Sequence, residues 1–340
     1  GGMARPLASP PGAEVFARFS PDGSRVAFIG NYGDGRDIYT IPTAGGLPER
    51  VTHHPGTELL TEWGSDGRLL FSTGDLSGLA RAAALFAVPA EGGLPTQLPV
   101  PYGANAAISA DGTWLAYTPH SIDNRTWKRY RGGMQTDIWL VNLKSGESKR
   151  ITDWEGIDSL PMWHGSKVYY LSDQGEGSRL NIWSYDTNSG AREQITRFKD
   201  FDVKWPAIGP EGPGAGEIVF QHGSKLWRLD LADKSTKEVA ITIPGDRPKL
   251  MEQTIDAASF VSGSSISPSG KRVAVEARGD IWSAPAENGT PRNLTRTSGV
   301  AERDPAWSPD GKWIAYFADN TGEYELYVLP SDGKGEPRKI

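Results

Sequence analysis

The chain has 340 residues, no Cys, 41 Gly, 25 Pro and a formal net charge of −6. Without Cys there is no thiol nucleophile, disulfide framework or thiolate metal site, the mild negative charge argues against non-specific nucleic-acid binding, and no apolar run is long enough to span a membrane. A hydrophobic content of 37 %, with 12 Trp, 11 Tyr and 10 Phe, suits many short strands joined by tight turns.

From the N-terminus, residues 1–12 copy the phrase of residues 45–56, so the chain begins in mid-repeat. This first stretch has neither a basic n-region nor an apolar h-region, which predicts no signal peptide. The expected location is cytoplasmic, or periplasmic if a leader precedes Gly1. Ser20-Pro21-Asp22-Gly23 comes next, followed by the apolar run Val26-Ala27-Phe28-Ile29. The same wording returns at Ser308-Pro309-Asp310-Gly311 before Trp313-Ile314-Ala315-Tyr316. Weaker copies stand at Ser65-Asp66-Gly67, Ser109-Ala110-Asp111-Gly112 and Ser267-Pro268-Ser269-Gly270, with degenerate ones at Gly165-Ser166 and Pro210-Glu211-Gly212. The spacing is about 41 to 57 residues, the period of a β-propeller.

Each repeat reads as four strands. An innermost strand ends at the Ser-Pro-Asp-Gly turn and a second alternating strand follows. After a polar hairpin comes a third strand of the type Asp37-Ile38-Tyr39-Thr40-Ile41 or Asp137-Ile138-Trp139-Leu140-Val141, and a Gly-rich turn leads to the outer strand. Period-2 alternation lets each sheet bury side chains against its neighbours. The repeats cover 13–57, 58–103, 104–157, 158–202, 203–246, 262–301 and 302–340. The expectation is an all-β fold of four-stranded antiparallel blades with about seven repeats. Residues 1–246 are propeller repeats, the first blade being represented only by its outer strand. Residues 247–261 are a linker or insertion. Residues 262–340 are two further blades, which either close a seven-blade ring or begin a second propeller.

No chemistry-bearing constellation is visible. His53, His54, His120, His164 and His222 fall in loops or at strand ends, with no nucleophile and orienting acid in triad-like positions. Adjacent His53 and His54 on a strand would point to opposite sides. The Gly-rich loops 31–37 and 173–179 lack Ca²⁺-loop spacing and a closing bidentate Glu, and read as hairpins. Cofactors are therefore expected to be none, and catalytic and metal residues none.

Three stretches carry a family likeness. Residues 125–133, Arg-Thr-Trp-Lys-Arg-Tyr-Arg-Gly-Gly, precede Asp137-Ile138-Trp139. The second stretch is the linker from Arg247 into Ile266-Ser267-Pro268, and the third is the run 293–307. With the Ser-Pro-Asp-Gly repeats, which TolB and prolyl-oligopeptidase-type propellers share, they resemble the propeller region of the tricorn protease family. That resemblance covers essentially the whole chain. It implies a non-catalytic propeller portion of a serine protease, guiding or gating oligopeptides to a catalytic half that this chain lacks. The alternative is a stand-alone TolB-like protein-binding scaffold. Implied partners are oligopeptides, the catalytic domains of a longer parent chain and a possible second copy of the chain, with no nucleic acid and no membrane. The family's basic pair that anchors peptide termini has no counterpart at the matching connection, Thr52-His53-His54-Pro55-Gly56. The candidate peptide-binding residues are instead Arg125, Lys128, Arg129 and Arg131, interleaved with Trp127 and Tyr130 in the longest repeat. A guanidinium pairs bidentately with a carboxylate, and a peptide presents one at its C-terminus. The competing reading packs this loop against a neighbouring blade or subunit.

Overall fold

The recurring turn is a small hydrogen-bonded unit, and its local chemistry sets each blade. Ser20 Oγ donates to Asp22 Oδ1 at 2.5 Å and accepts the Arg25 N–H at 2.9 Å, while Asp22 Oδ1 also accepts the Ser24 N–H at 3.0 Å. Gly23 stands at φ +70°, a left-handed conformation that costs a side chain strain. The same bonds recur at Ser109/Asp111/Trp114 and Ser308/Asp310/Trp313. At 267–270 a Ser replaces the Asp, and the same three bonds persist in longer form: Arg272 N–H to Ser267 Oγ at 3.0 Å, a Ser267–Ser269 hydroxyl contact at 3.3 Å and Lys271 N–H to Ser269 Oγ at 3.4 Å.

The computed structural model describes all residues except 9–11, 34, 79–81, 124–129, 131, 211–213, 246–250 and 252–253. Its strands form seven four-stranded antiparallel sheets, each in simple up-and-down order, as the repeat spacing predicts. The innermost strands of blades 1 to 7 are Glu14–Phe19, Leu59–Trp63, Asn105–Ile108, Asp158–His164, Val203–Ile208, Val261–Ile266 and Glu302–Trp307. Among the described residues, the helical content is two 3₁₀ turns, Glu176–Ser178 and Ala257–Phe260.

The chain divides into two compact units, Gly1–Gly245 and Asp246–Ile340. Unit 1 holds blades 1 to 5 and unit 2 holds blades 6 and 7. In unit 1 the alternation of each second strand feeds two cores. Leu69 and Phe71 pack with Ile29 and Ile38 of blade 1, while Leu70 on the opposite face packs with Leu115 and Tyr117 of blade 3. Phe71 is fully buried, and burial of such a side chain stabilises the fold by about 1.5–3 kcal/mol. Ile138 and Leu140 meet Val168 and Tyr170 between blades 3 and 4, and Leu171 and Ile182 meet Ile218 and Phe220 between blades 4 and 5. In unit 2 one core joins Ala274 and Ile281 to Ile314, Tyr316 and Leu329.

The first residues do not enter a four-stranded sheet. Gly2–Met3 pairs in parallel with Ile241–Thr242, just after the outer strand of blade 5. Leu7 and Ala8 then pack on Val26, Phe28, Tyr39 and Ile41, the face of blade 1 turned away from blade 2. The third strand of blade 3 starts at Trp139 rather than at Asp137, as alternation suggests. Trp139 pairs with Tyr117, and Ile138 before it is held from the other side, its N–H donating to Thr152 Oγ1 at 2.8 Å and its carbonyl accepting the Ile151 N–H at 2.9 Å.

Candidate functional site

One channel in unit 1 is lined by the innermost strands of all five blades: Arg18, Glu62, Ala106, Met162 and Ala207 each contribute from a different blade. Its walls are shaped by a repeated irregularity. In blades 1, 4 and 5 the innermost strand carries a bulge, between Val15 and Arg18, Ser159 and Met162, and Lys204 and Ala207. At each bulge the first extra residue has positive φ: Phe16 at 58°, Leu160 at 51° and Trp205 at 52°. A bulge breaks the strict alternation of a strand and re-aims a side chain. All three bulge residues line one end of the channel, with Val15, Leu59 and Leu60, in a cavity of about 550 Å³. Phe16 and Trp205 meet edge-on with ring centroids 6.0 Å apart, so blades 1 and 5 touch at this mouth. Non-glycine residues in the left-handed region are strained by about 1–2 kcal/mol and tend to cluster where a ligand is held.

The charged groups of the channel are few. Arg18 is half-buried and donates from Nε to the Thr61 carbonyl at 2.7 Å and from Nη1 to the Ala17 carbonyl at 2.8 Å. Glu62, on the next blade, accepts the Ile108 N–H of the blade beyond at 2.5 Å. These bonds stitch blades 1, 2 and 3 together around the channel. Enclosure pushes the Glu62 carboxyl up to about 8, against the opposing pull of that N–H and of Arg18. At the mouth, Asp123 accepts from Asn105 Nδ2 at 3.0 Å and from Ser121 Oγ at 2.9 Å. Arg36 lines the same cavity and is exposed.

A second set of carboxylates lies between blades, outside the channel. Thr52 Oγ1 accepts the Ile38 N–H at 2.9 Å and donates to Glu58. Thr295 Oγ1 does the same between Ile281 N–H and Glu302. Thr152 and Thr196 accept the equivalent N–H groups of Ile138 and Ile182. Burial pushes Glu58 and Asp158 up to about 7. These acids order the junctions and face no cavity of the channel.

The predicted binding residues Arg125, Lys128, Arg129 and Arg131 lie outside the described residues. In the sequence they follow shortly after Ser121 and Asp123, which line the mouth. The predicted histidines do not converge. His222 is buried, 3.0 Å from Asp200 and stacked on Phe198 at 4.0 Å, while His120 stacks on Tyr102 at 5.4 Å. Among the described residues no group of three or more His, Asp or Glu is arranged to hold a metal ion. Sequence reasoning missed the mouth residues Phe16, Leu160 and Trp205. For two of them a signal was present: Pro161 and Pro206 stand inside innermost strands, where a proline marks a bulge. Asp304-Pro305 in blade 7 repeats it, with Asp304 at φ 53°.

Four-stranded blades set side by side around a central channel define a β-propeller. The sequence profile of the tricorn protease N-terminal β-propeller domain matches residues 1–235, and the chain belongs to that family. Tricorn protease homolog 1 of Streptomyces coelicolor is 29 % identical over 323 residues, covering 93 % of this chain and 29 % of that protein. The Tol-Pal system protein TolB of Wolinella succinogenes is 25 % identical over 211 residues, covering 60 % of this chain and 47 % of that one. The crystal structure of the tricorn protease superposes with a TM-score of 0.68 at 20 % identity, over 98 % of this chain and 32 % of that chain, a likeness of fold. The chain thus spans under a third of the length of its tricorn relatives.

Proposed function

We propose that this chain is the non-catalytic propeller portion of a tricorn-like serine protease, and that the unit 1 channel guides or gates oligopeptides for a catalytic half supplied by further domains. The observation that carries this reading is the convergence of five innermost strands on one channel whose mouth combines apolar side chains with arginines. An extended peptide presents alternating side chains and an unpaired backbone, and such a mouth offers both apolar contact and cationic donors to it. The basic loop residues Arg125, Lys128, Arg129 and Arg131 belong to the same reading as holders of a peptide's terminal carboxylate. A cytoplasmic site of action goes with it.

The test is photo-crosslinking. A decapeptide carrying a benzophenone side chain is expected to label innermost-strand residues of blades 1 to 5, mapped by mass spectrometry, with excess unlabelled peptide competing. Replacing Arg129 and Arg131 together by Ala is expected to weaken binding of free-acid peptides more than of amidated ones. Labelling confined to the outer strands would defeat the channel reading and leave a TolB-like scaffold, periplasmic and protein-binding, as the better account.

A further inference from the structure

The mouth carries more information than passage alone requires. Three of its walls are left-handed bulge residues, Phe16, Leu160 and Trp205, and Trp205 remains 39 % exposed and Val15 38 % exposed although both face a cavity. Apolar surface left open in a concave site is surface for an apolar ligand group. The charges beside it are unbalanced. Arg36 and Arg18 both line the cavity. No hydrogen bond or ion pair with a described residue engages the Arg36 guanidinium, and Arg18 spends Nε and Nη1 on carbonyl oxygens, leaving Nη2 without a bond among the described residues. Against them stand Asp123, one of whose oxygens is occupied by Asn105 and Ser121, and deeper in the channel Glu62, tied to the Ile108 N–H and held largely protonated at neutral pH by its enclosure. His164 is the other titratable group lining that deeper part. At the mouth itself two arginines thus face the single carboxylate of Asp123, a local positive excess in a chain of net charge −6.

We propose that the channel mouth is a side-chain subsite selective for an acidic residue next to a bulky apolar one, with Arg36 and Arg18 pairing the carboxylate and Phe16, Leu160 and Trp205 enclosing the apolar group. This rests on the reading of the channel as a peptide site. It adds a preference that neither bare passage nor terminus holding by the Arg125–Arg131 loop supplies.

Peptides acetylated and amidated at their ends carry no terminal charge, so the terminus-holding loop does not read them. Fluorescence-anisotropy competition with the full chain compares capped Ala-Glu-Phe-Ala with its Gln-Phe, Lys-Phe and Glu-Ser counterparts. The Glu-Phe peptide is expected to bind at least about fivefold tighter than Gln-Phe, as a charge-assisted bond over a neutral one gives, with Lys-Phe weakest. Arg36→Ala is expected to erase the Glu-over-Gln ratio and Arg36→Lys to keep part of it. Both variants should melt as the parent chain does, because the side chain has no described partner to lose. Trp205→Ala is expected to weaken Glu-Phe and leave Glu-Ser unchanged. Equal binding of Glu-Phe and Gln-Phe, or a ratio that survives Arg36→Ala, overturns the subsite while peptide binding itself leaves the channel reading standing. Absence of binding by every capped peptide overturns the subsite as well.

Discussion

At the scale of single residues, the junction threonines decide how well each blade grips the next. Thr52 is buried and serves two masters, taking the Ile38 N–H and giving its hydroxyl to Glu58. Thr52→Val keeps the shape and removes both bonds, leaving a buried N–H and a buried carboxyl unpaired. An unsatisfied buried group costs about 1–3 kcal/mol. Urea unfolding is expected to show a loss of that size, and a loss below about 0.5 kcal/mol would mean water replaces the hydroxyl. Glu58 also makes stability depend on pH. Burial raises Glu58 and Asp158 to about 7 and Glu62 to about 8, so these groups resist ionisation in the fold and not in the unfolded chain. Their contribution is complete below the ordinary carboxylate range near pH 4.5 and is lost as pH rises through 7 to 8. Asp22 works in the opposite sense. Its bonds from Ser20 and Ser24 lower it to about 2, so its contribution is present above its ordinary value and lost as pH falls toward 2, and exposure keeps it small. The melting temperature is therefore expected to fall between pH 5 and pH 8, and Glu58→Gln, which keeps an acceptor for Thr52, to flatten the fall. A melting temperature that climbs steadily over that range would show the junction acids ionised in the fold.

At the scale of elements, the bulged innermost strand is the unit that turns a regular blade into a wall of a site. In blade 5, Pro206 has no N–H to lose from the ladder, Trp205 takes φ 52°, and the indole meets Phe16 across the mouth. Trp205→Gly relieves the left-handed strain and removes contacts that are already 39 % exposed. The expected net change in unfolding free energy is within about 1 kcal/mol, with binding of the Glu-Phe peptide weakened. A destabilisation above about 3 kcal/mol would mark Trp205 as core rather than site. This element also shows where sequence reading stops. The Ser-Pro-Asp-Gly turn is legible because its bonds are local: Ser20, Asp22 and Gly23 close on one another within five residues. Blade count and strand order follow from it. The mouth is not local. Phe16, Leu160 and Trp205 are brought together by three bulges on three different strands, and alternation alone assigns each side chain to a blade face. Pro161 and Pro206 were the available clue, whereas Phe16-Ala17 carries none. The basic loop was legible as composition, four cations and two aromatics within residues 125–131.

At the scale of the whole molecule, the division after Gly245 sets what each part can do alone. Unit 1 has five blades with four cores between neighbours and Leu7 and Ala8 on the free face of blade 1, so that only the far face of blade 5, with Val219 and Leu226, stays open, and it contains the entire channel lining. Unit 2 has two blades and one core between them. Two sheets bury only the faces they share, and Ile266 at 72 %, Val261 at 50 %, Phe317 at 42 % and Trp313 at 41 % exposed are left outside. Open apolar area of this kind drives self-association, and stability in a repeat fold accumulates from neighbour interfaces. Residues 1–245 expressed alone are expected to be monomeric by light scattering, to unfold cooperatively and to keep the parent chain's affinity for peptides within about twofold. Residues 246–340 alone are expected to associate or remain unfolded. That pair of results supports two propeller bodies meeting at residues 247–261. The opposite result, a fragment 1–245 that unfolds or loses peptide binding until 246–340 is added back, supports a single ring of seven blades, because only a closed ring makes the last two blades necessary to the first five.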